Sequence, residues 1–361
     1  MVPQAASPEI LFERRGAAAL VTLNRPQALN AVTFDMIKAL SRQLAEWESD
    51  PAVTRVVLTA AGARAFSAGG DLRALFDLQR AGRYAAALDY WRREYLLNAQ
   101  IKRYGKPYVS LIDGIVMGGG VGISIHGSHR VAGDGFSFAM PEVGIGFFPD
   151  VGATWFLPRL PGELGLYCAL TGARIGPAEA VAAGIATHRV ASHRLPELLE
   201  ELCGNVPVEA LLAAYVESPA PGAVCAPQHT LERLFAGDSI EDILAALDAQ
   251  VAEGGQDADF ALAAARAIRQ KSPTSLKITL AQLRRGRHLD FAACMRMEFR
   301  IVSRLLHGHD LYEGIRAVIV DKDQAPRWQP ATLADVSDTD IAGFFAPQSD
   351  ELVLPDDPAL P

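Results

Sequence analysis

Tyr108-Val109-Ser110-Leu111-Ile112-Asp113-Gly114-Ile115-Val116-Met117-Gly118-Gly119-Gly120 and, further on, Met140-Pro141-Glu142-Val143-Gly144-Ile145-Gly146-Phe147-Phe148-Pro149-Asp150-Val151-Gly152 are the two segments from which the rest of the chain can be read. The first reads as a buried strand running into three consecutive glycines, the second as a loop carrying two carboxylates. Glycines let the backbone approach a ligand with no Cβ in the way, and a helix starting there leaves N–H groups free for an anion. Such donors are what an oxyanion hole requires. Each segment alone also has a plainer explanation, a tight turn in one case and a solvated loop glutamate in the other.

Working outward, Ile10 to Glu13 and Ala18 to Leu23 read as a hairpin, and Thr33 as the cap of a helix running to about Glu48 with Phe34, Ile37, Leu40, Leu44 and Trp47 on one face. Arg55 to Thr59 is a buried-strand pattern. Ala65-Phe66-Ser67-Ala68-Gly69-Gly70-Asp71-Leu72 follows it as a small-residue turn leading into a helix, a second place where backbone N–H groups can face a ligand. A helical stretch (Arg83 to Arg103) precedes the strand at Tyr108, and a helix is expected over Val121 to Gly127. The alternation of strand and helix predicts an α/β layered fold with parallel strands. From about Leu195 to Gln270 the composition shifts to Ala, Leu and Glu, with a Pro-rich break at Ser218-Pro219-Ala220-Pro221, which reads as a helical insertion. The expected organisation is therefore a core over 1–195, an insertion over 196–270, a C-terminal helical region over 271–345 and a tail over 346–361, disordered in part beyond Phe345.

Half of the 361 residues are hydrophobic, enough for a large core, and the net charge of -8 argues against a nucleic-acid-binding surface. Cys168, Cys203, Cys225 and Cys294 are far apart, so neither a zinc ribbon nor a disulfide framework is expected. Met1 to Pro8 show no basic segment followed by an apolar one, and the apolar runs are interrupted by Gly or charge. A signal peptide, a membrane span and a membrane partner are therefore not expected, and a cytoplasmic location is. Gly122-Ile123-Ser124-Ile125-His126 ends in His where a nucleophile elbow needs Gly. No GxGxxG follows a strand and no Walker spacing occurs. His126 with His129 and His307 with His309 lack a third ligand nearby, and such pairs are mostly surface or core histidines. Two glycine turns and a pair of carboxylates remain. If the N–H groups of Gly70 and Gly119 point at one carbonyl oxygen, they polarise a thioester or ester for a step driven by Glu142.

Asn24-Arg25-Pro26 with Leu29-Asn30-Ala31, Phe66 to Asp71, and Gly114 to Gly120, in this order, resemble the crotonase (enoyl-CoA hydratase/isomerase) superfamily, whose members bind acyl-CoA thioesters. Phe138 to Glu142, Phe147 to Gly152, Phe156 to Leu160, Ser272 to Lys277 and Glu313 to Asp323 resemble its hydrolase branch, so the resemblance covers roughly Pro8 to Phe345. It implies a crotonase (ClpP-like) ββα spiral with C-terminal helices, which often mediate trimer contacts in relatives; a homo-oligomer stays open. It implies an acyl-CoA substrate, coenzyme A being part of that substrate, and no metal or redox cofactor. It places the oxyanion hole at Gly70 and Gly119, a catalytic acidic pair at Glu142 and Asp150, a substrate contact at Glu94, and CoA contacts around Arg25, Ala28, Ala68, Asp71 and Leu72.

Departures from the family pattern separate its branches. Its hydratases use two glutamates, the first shortly after the triple glycine, where this chain has Gly122. They carry glycine after the proline of the second motif, where this chain has Asp150, as the hydrolases do. Ser67 replaces a cysteine common in relatives, a conservative difference. The expected reaction is hydrolysis of a 3-hydroxyacyl-CoA thioester, 3-hydroxyisobutyryl-CoA above all, in valine degradation. Enoyl-CoA hydration or isomerisation is the alternative, and a non-catalytic acyl-CoA-binding protein is the alternative of another class.

Overall fold

The computed structural model describes residues 8–216 and 227–355; the Pro-rich break at 218–221 and position 225 lie outside the described residues. The chain divides into two compact units, one drawn from 1–70, 97–138 and 175–223, the other from 71–96, 139–174 and 224–361.

In the first unit, β1 (Ile10–Arg15) and β2 (Ala18–Leu23) form the expected antiparallel hairpin, with Phe12 opposite Val21. Parallel pairing then adds β3 (Arg55–Ala60), β5 (Tyr108–Ile112), β7 (His129–Ala132) and β9 (His188–Arg189), in sheet order β1-β2-β3-β5-β7-β9. Val56, Val57 and Leu58 are all buried, so the uninterrupted apolar run belongs to a strand covered on both faces. A smaller sheet has the order β4 (Ala65–Ser67), β6 (Ile115–Met117), β8 (Ser137–Ala139). Thr33 caps the helix Phe34–Ser49 as expected, its Oγ1 accepting from the Met36 N–H at 3.2 Å. Helices Leu195–Leu202 and Val208–Tyr215 lay Leu198, Leu202, Leu211 and Leu212 against Val57, Val109, Val131 and Val190. Each such buried leucine contributes about 1.5–3 kcal/mol through lost apolar surface.

The helix expected over Val121 to Gly127 is a single turn, Gly119–Gly122, which begins two residues earlier and ends sooner. Three-residue hydrogen bonds close it off: the Ser124 N–H donates to the Val121 carbonyl at 3.0 Å and the Gly127 N–H to the Ser124 carbonyl at 3.1 Å. The early start puts the helix's first residue inside the glycine triplet.

The second unit is mainly helical. Helices Ala258–Arg269, Pro273–Gly286 and Phe291–Leu305 are its longest C-terminal elements together with Ile240–Glu253. Beyond Phe345 the described chain, through residue 355, packs against the second unit, which narrows the expected partial disorder of the tail without testing it further on. Leu352 is 1% exposed and Leu354 is buried, while Glu351 accepts from Arg300 Nε at 2.7 Å and Asp350 from Arg92 at 2.6 Å. Two leucines and two acids met by arginines anchor a segment whose proline and aspartate content suggested none.

Candidate active site

Two glycine turns sit together at the ends of paired strands in the first unit. β4 and β6 run parallel, with Ala65 opposite Ile115 and Ser67 opposite Val116, so the residues following each strand leave on the same side. A Cβ placed on Gly69 would lie 3.8 Å from the Gly119 nitrogen, which measures how closely the turns approach. Gly118, at φ 46 and ψ -125, occupies a conformation that side chains rarely adopt. A Cβ on Gly120 would lie 2.6 Å from Ser67 Cβ and 2.7 Å from the Ser67 carbonyl oxygen. Among the described residues, no backbone carbonyl takes the N–H of Gly70 or of Gly119.

The first motif clasps this turn. Asn30 Nδ2 donates to the carbonyls of Ala61 and Ala65, both at 2.9 Å, and its Oδ1 accepts from the Arg25 N–H at 2.8 Å. Ser67 Oγ donates to the Asn30 carbonyl at 2.8 Å, and the Ala68 N–H donates to the Leu29 carbonyl at 2.9 Å. The Asn-Arg-Pro and Phe-Ser-Ala-Gly-Gly-Asp segments are thus two halves of one hydrogen-bonded loop pair. Arg25, expected at a CoA contact, spends its guanidinium within the protein, on Glu9 at 2.9 Å and the Ala31 carbonyl at 2.7 Å. Ala28 and Ala68 are half-buried.

The acids lie in the second unit. Glu142 opens the short 3-10 turn Glu142–Ile145 and is 6% exposed; its Oε2 is buried without a hydrogen-bond partner. Asp150 is 4% exposed, and its Oδ2 accepts from the Tyr95 hydroxyl at 2.9 Å. Glu94, one residue before Tyr95 on the helix Tyr84–Lys102, is 2% exposed and has a buried Oε1 with no partner. Asp71 caps the helix Leu72–Arg80, accepting from the Ala74 N–H at 3.2 Å, and Leu72 is its first residue.

Burial dominates the electrostatics of these acids. It pushes Asp150 up to about 7, against the opposing pull of Tyr95, of its own N–H and of Trp91. Glu142 is held well above the usual carboxylate range, first by burial and then by the charge on Asp150. Glu94 is raised well above that range by burial, then by Asp150 and Glu298. Neighbouring carboxyls cannot ionise independently, so the group holds protons to higher pH than isolated carboxyls and titrates as a coupled set. An acid with a free buried oxygen and a raised affinity for protons is suited to act as nucleophile or base once its neighbour carries the proton.

The predicted residues therefore fall into two sets. Gly70, Gly119, Arg25, Ala28 and Ala68 belong to the first unit, and Glu142, Asp150, Glu94, Asp71 and Leu72 to the second. Tyr95, Trp91 and Glu298 escaped the sequence reading. Tyr95 adjoins Glu94, and Glu298 stands seven residues after Phe291 and four before Val302, at helical spacing from both. A lone acid at core spacing was the available signal. Among the described residues, no group of three or more His, Cys, Asp or Glu is arranged to hold a metal ion.

Comparison with known proteins adds independent findings. The Enoyl-CoA hydratase/isomerase family model matches residues 18–345. The chain is 43% identical over 356 residues to a protein of Danio rerio named 3-hydroxyisobutyryl-CoA hydrolase, mitochondrial, covering 96% of this chain and 91% of that one. A crystal structure described as a carnitinyl-CoA dehydratase from Mycobacterium thermoresistibile superposes with a TM-score of 0.91 at 42% identity, over 97% of this chain and 100% of the other. One described as an enoyl-CoA hydratase from Rhodobacter sphaeroides gives 0.87 at 38% identity, over 94% and 98%. The crotonase-type α/β fold expected from the motifs is the fold of these neighbours. The expected cytoplasmic location is overturned, because relatives named as this hydrolase carry the word mitochondrial. The sequence argument had tested for a secretory leader and a membrane span, and neither bears on import into an organelle.

Proposed function

We propose, from the premise that this chain belongs to the enoyl-CoA hydratase/isomerase family, that it hydrolyses 3-hydroxyisobutyryl-CoA to 3-hydroxyisobutyrate and coenzyme A, a step of valine degradation. The observation that carries the proposal is the buried Glu142 oxygen left without a partner beside a second buried acid, Asp150. Gly122, standing where hydratases of the family carry their first glutamate, weighs the same way.

In this reading the thioester oxygen is held by the N–H groups of Gly70 and Gly119, which oppose the charge developing as the carbonyl becomes tetrahedral. Losing one such donor costs about 3 kcal/mol of barrier. Glu142 either attacks the carbonyl carbon, expelling the CoA thiolate and leaving a mixed anhydride that water cleaves, or takes the proton of a water that attacks directly. Both routes need Glu142 ionised. Moving a proton from Glu142 to Asp150 ionises the first, removes the repulsion that adds to burial in disfavouring its charge, and leaves Asp150 able to donate to the departing thiolate. Asp150 and Glu94 also offer hydrogen-bonding groups to the substrate's 3-hydroxyl. A site that pairs such a hydroxyl discriminates strongly against plain acyl chains. Backbone around Arg25, Ala28, Ala68, Asp71 and Leu72 takes the CoA moiety. The reaction as written uses no metal and no redox cofactor.

The dehydratase and hydratase descriptions of the two crystal structures favour a second reading, reversible hydration of an enoyl-CoA. Thiol release from 3-hydroxyisobutyryl-CoA, measured beside hydration of crotonyl-CoA, separates the two. Rapid thiol release with little hydration is expected, and the converse would refute hydrolysis. Glu142→Ala should lose at least a thousandfold in thiol release while still binding CoA; a wild type that binds acyl-CoA and turns over neither substrate would make the chain a binding protein.

A further inference from the structure

Glu298 lies midway along the helix Phe291–Leu305 and is 0% exposed. Its Oε2 accepts the Gly152 N–H at 2.8 Å and its Oε1 accepts the Thr154 N–H at 2.9 Å. Those two amides lie at the end of the turn that follows Asp150, in which Val151 sits strained at φ 52 and Gly152 at φ 90. A β-branched residue with positive φ is a true outlier, costing on the order of 1–3 kcal/mol unless its surroundings enforce it. A second buried side chain secures the other end, Gln282 Nε2 donating to the Pro149 carbonyl at 2.6 Å.

We propose that Glu298 is a positioning residue for the hydrolysis, a buried carboxylate that clamps the strained Val151-Gly152 turn and so fixes where Asp150 is presented. The inference rests on the hydrolase reading for what Asp150 does. The clamp itself rests on geometry alone. Both oxygens of Glu298 accept from backbone N–H groups and the side chain is fully buried, which sets it apart from Glu142, whose Oε2 has no partner. Two N–H donors on two oxygens also match an ionised carboxyl, since a protonated one would aim its own hydrogen at one of the donors. Burial and the charge of Asp150 work against that ionisation, pushing Glu298 up to about 8, while the amides of Gly152 and Thr154 pull it down. The other titratable groups around Asp150 and Glu298 are Glu94, Tyr90 and Tyr95 on the helix Tyr84–Lys102, Glu142, and Cys294 one turn before Glu298.

Glu298→Gln keeps the shape but sets an NH2 group against one of the two N–H donors. It should lower kcat about 100-fold with KM within threefold. Deuterium uptake over residues 149–156 should quicken at least tenfold, a readout that does not depend on which reaction the protein performs. Glu298→Asp, which keeps the carboxyl on a shorter stem, should lose about tenfold in kcat, and it serves if the Gln variant does not fold. Wild-type kcat and uptake in either variant would overturn the clamp, as would a drop in kcat with uptake over residues 149–156 unchanged in Glu298→Gln. Absence of thiol release from the wild type would instead refute the hydrolase reading, and uptake over 149–156 would still judge the clamp.

Discussion

Replacing Asp150 with asparagine separates what the carboxyl does for the reaction from what it does to the fold. Asparagine keeps the volume and an oxygen to accept from Tyr95, whose hydroxyl lies 2.9 Å from Oδ2. What it removes is a charge that burial disfavours, the cause of the rise from 3.8 to about 7. An acid whose folded-state affinity for protons is raised exerts no penalty while both states are protonated. The penalty grows as the unfolded chain ionises above pH 3.8 and is complete above about 7. For Asp150 alone the difference corresponds to about 4 kcal/mol at pH 8.5 and about 1 kcal/mol at pH 4.5. Glu142 and Glu94 share the same repulsion, so 4 kcal/mol is an upper bound and a gain of about 2 kcal/mol at pH 8.5 would already carry the argument. Urea unfolding of wild type and Asp150→Asn at the two pH values measures it, through midpoints at unchanged slope. Thiol release should fall at least 100-fold in the same variant. A gain of equal size at both pH values would refute the reasoning, because it would trace to packing or hydrogen bonding and not to charge; so would a loss at pH 8.5.

Two further outcomes follow from the same geometry. Tyr95→Phe removes the hydroxyl that helps Asp150 ionise, so the limb of the pH profile set by Asp150 should move to higher pH by about one unit; a limb that stays put would mean that another group sets it. Gly120→Ala should destabilise the first unit by about 1–3 kcal/mol through the collision with Ser67, measured as a lowered unfolding midpoint. Adding Ser67→Gly should not rescue it, since the Ser67 carbonyl oxygen also stands 2.7 Å from the new Cβ, and full rescue would count against that contact.

Much of the fold was legible because it is written in local patterns. The run Arg55 to Thr59, the Thr33 cap and the antiparallel pair around Arg14-Arg15-Gly16-Ala17 each depend on a few adjacent residues, and each formed where periodicity or capping placed it. The single helical turn at Gly119–Gly122 was harder. Val121 to Gly127 is apolar enough to suggest a longer helix, but the small residues around it favour three-residue turns, and only the paired strands fix where the chain must stop. The packing of the chain just beyond Phe345 was not legible for a related reason. Composition averages over a segment, whereas Leu352 and Leu354 dock individually and Glu351 meets an arginine 51 residues away.

The site shows the same division. The glycines announced themselves because a backbone that must come within van der Waals distance of Ser67 tolerates no other residue, and Glu142 with Asp150 stood out as acids within an otherwise apolar loop. Glu298 did not, because a single glutamate on a helix is ordinarily a solvated residue, and what makes it exceptional is that Gly152 and Thr154 present two N–H groups to it across 144 to 146 residues of chain. Its helical spacing from the apolar Phe291 and Val302 is nevertheless visible in the sequence. A carboxyl at a core position is expensive unless hydrogen-bonded, so its presence there called for donors that the helix cannot supply. The strained turn beside Asp150 has such donors to offer. Asp150 is thus held by a contact that neither the glycine motifs nor the acidic loop contains, and the chemistry of this loop depends on a helix more than a hundred residues downstream.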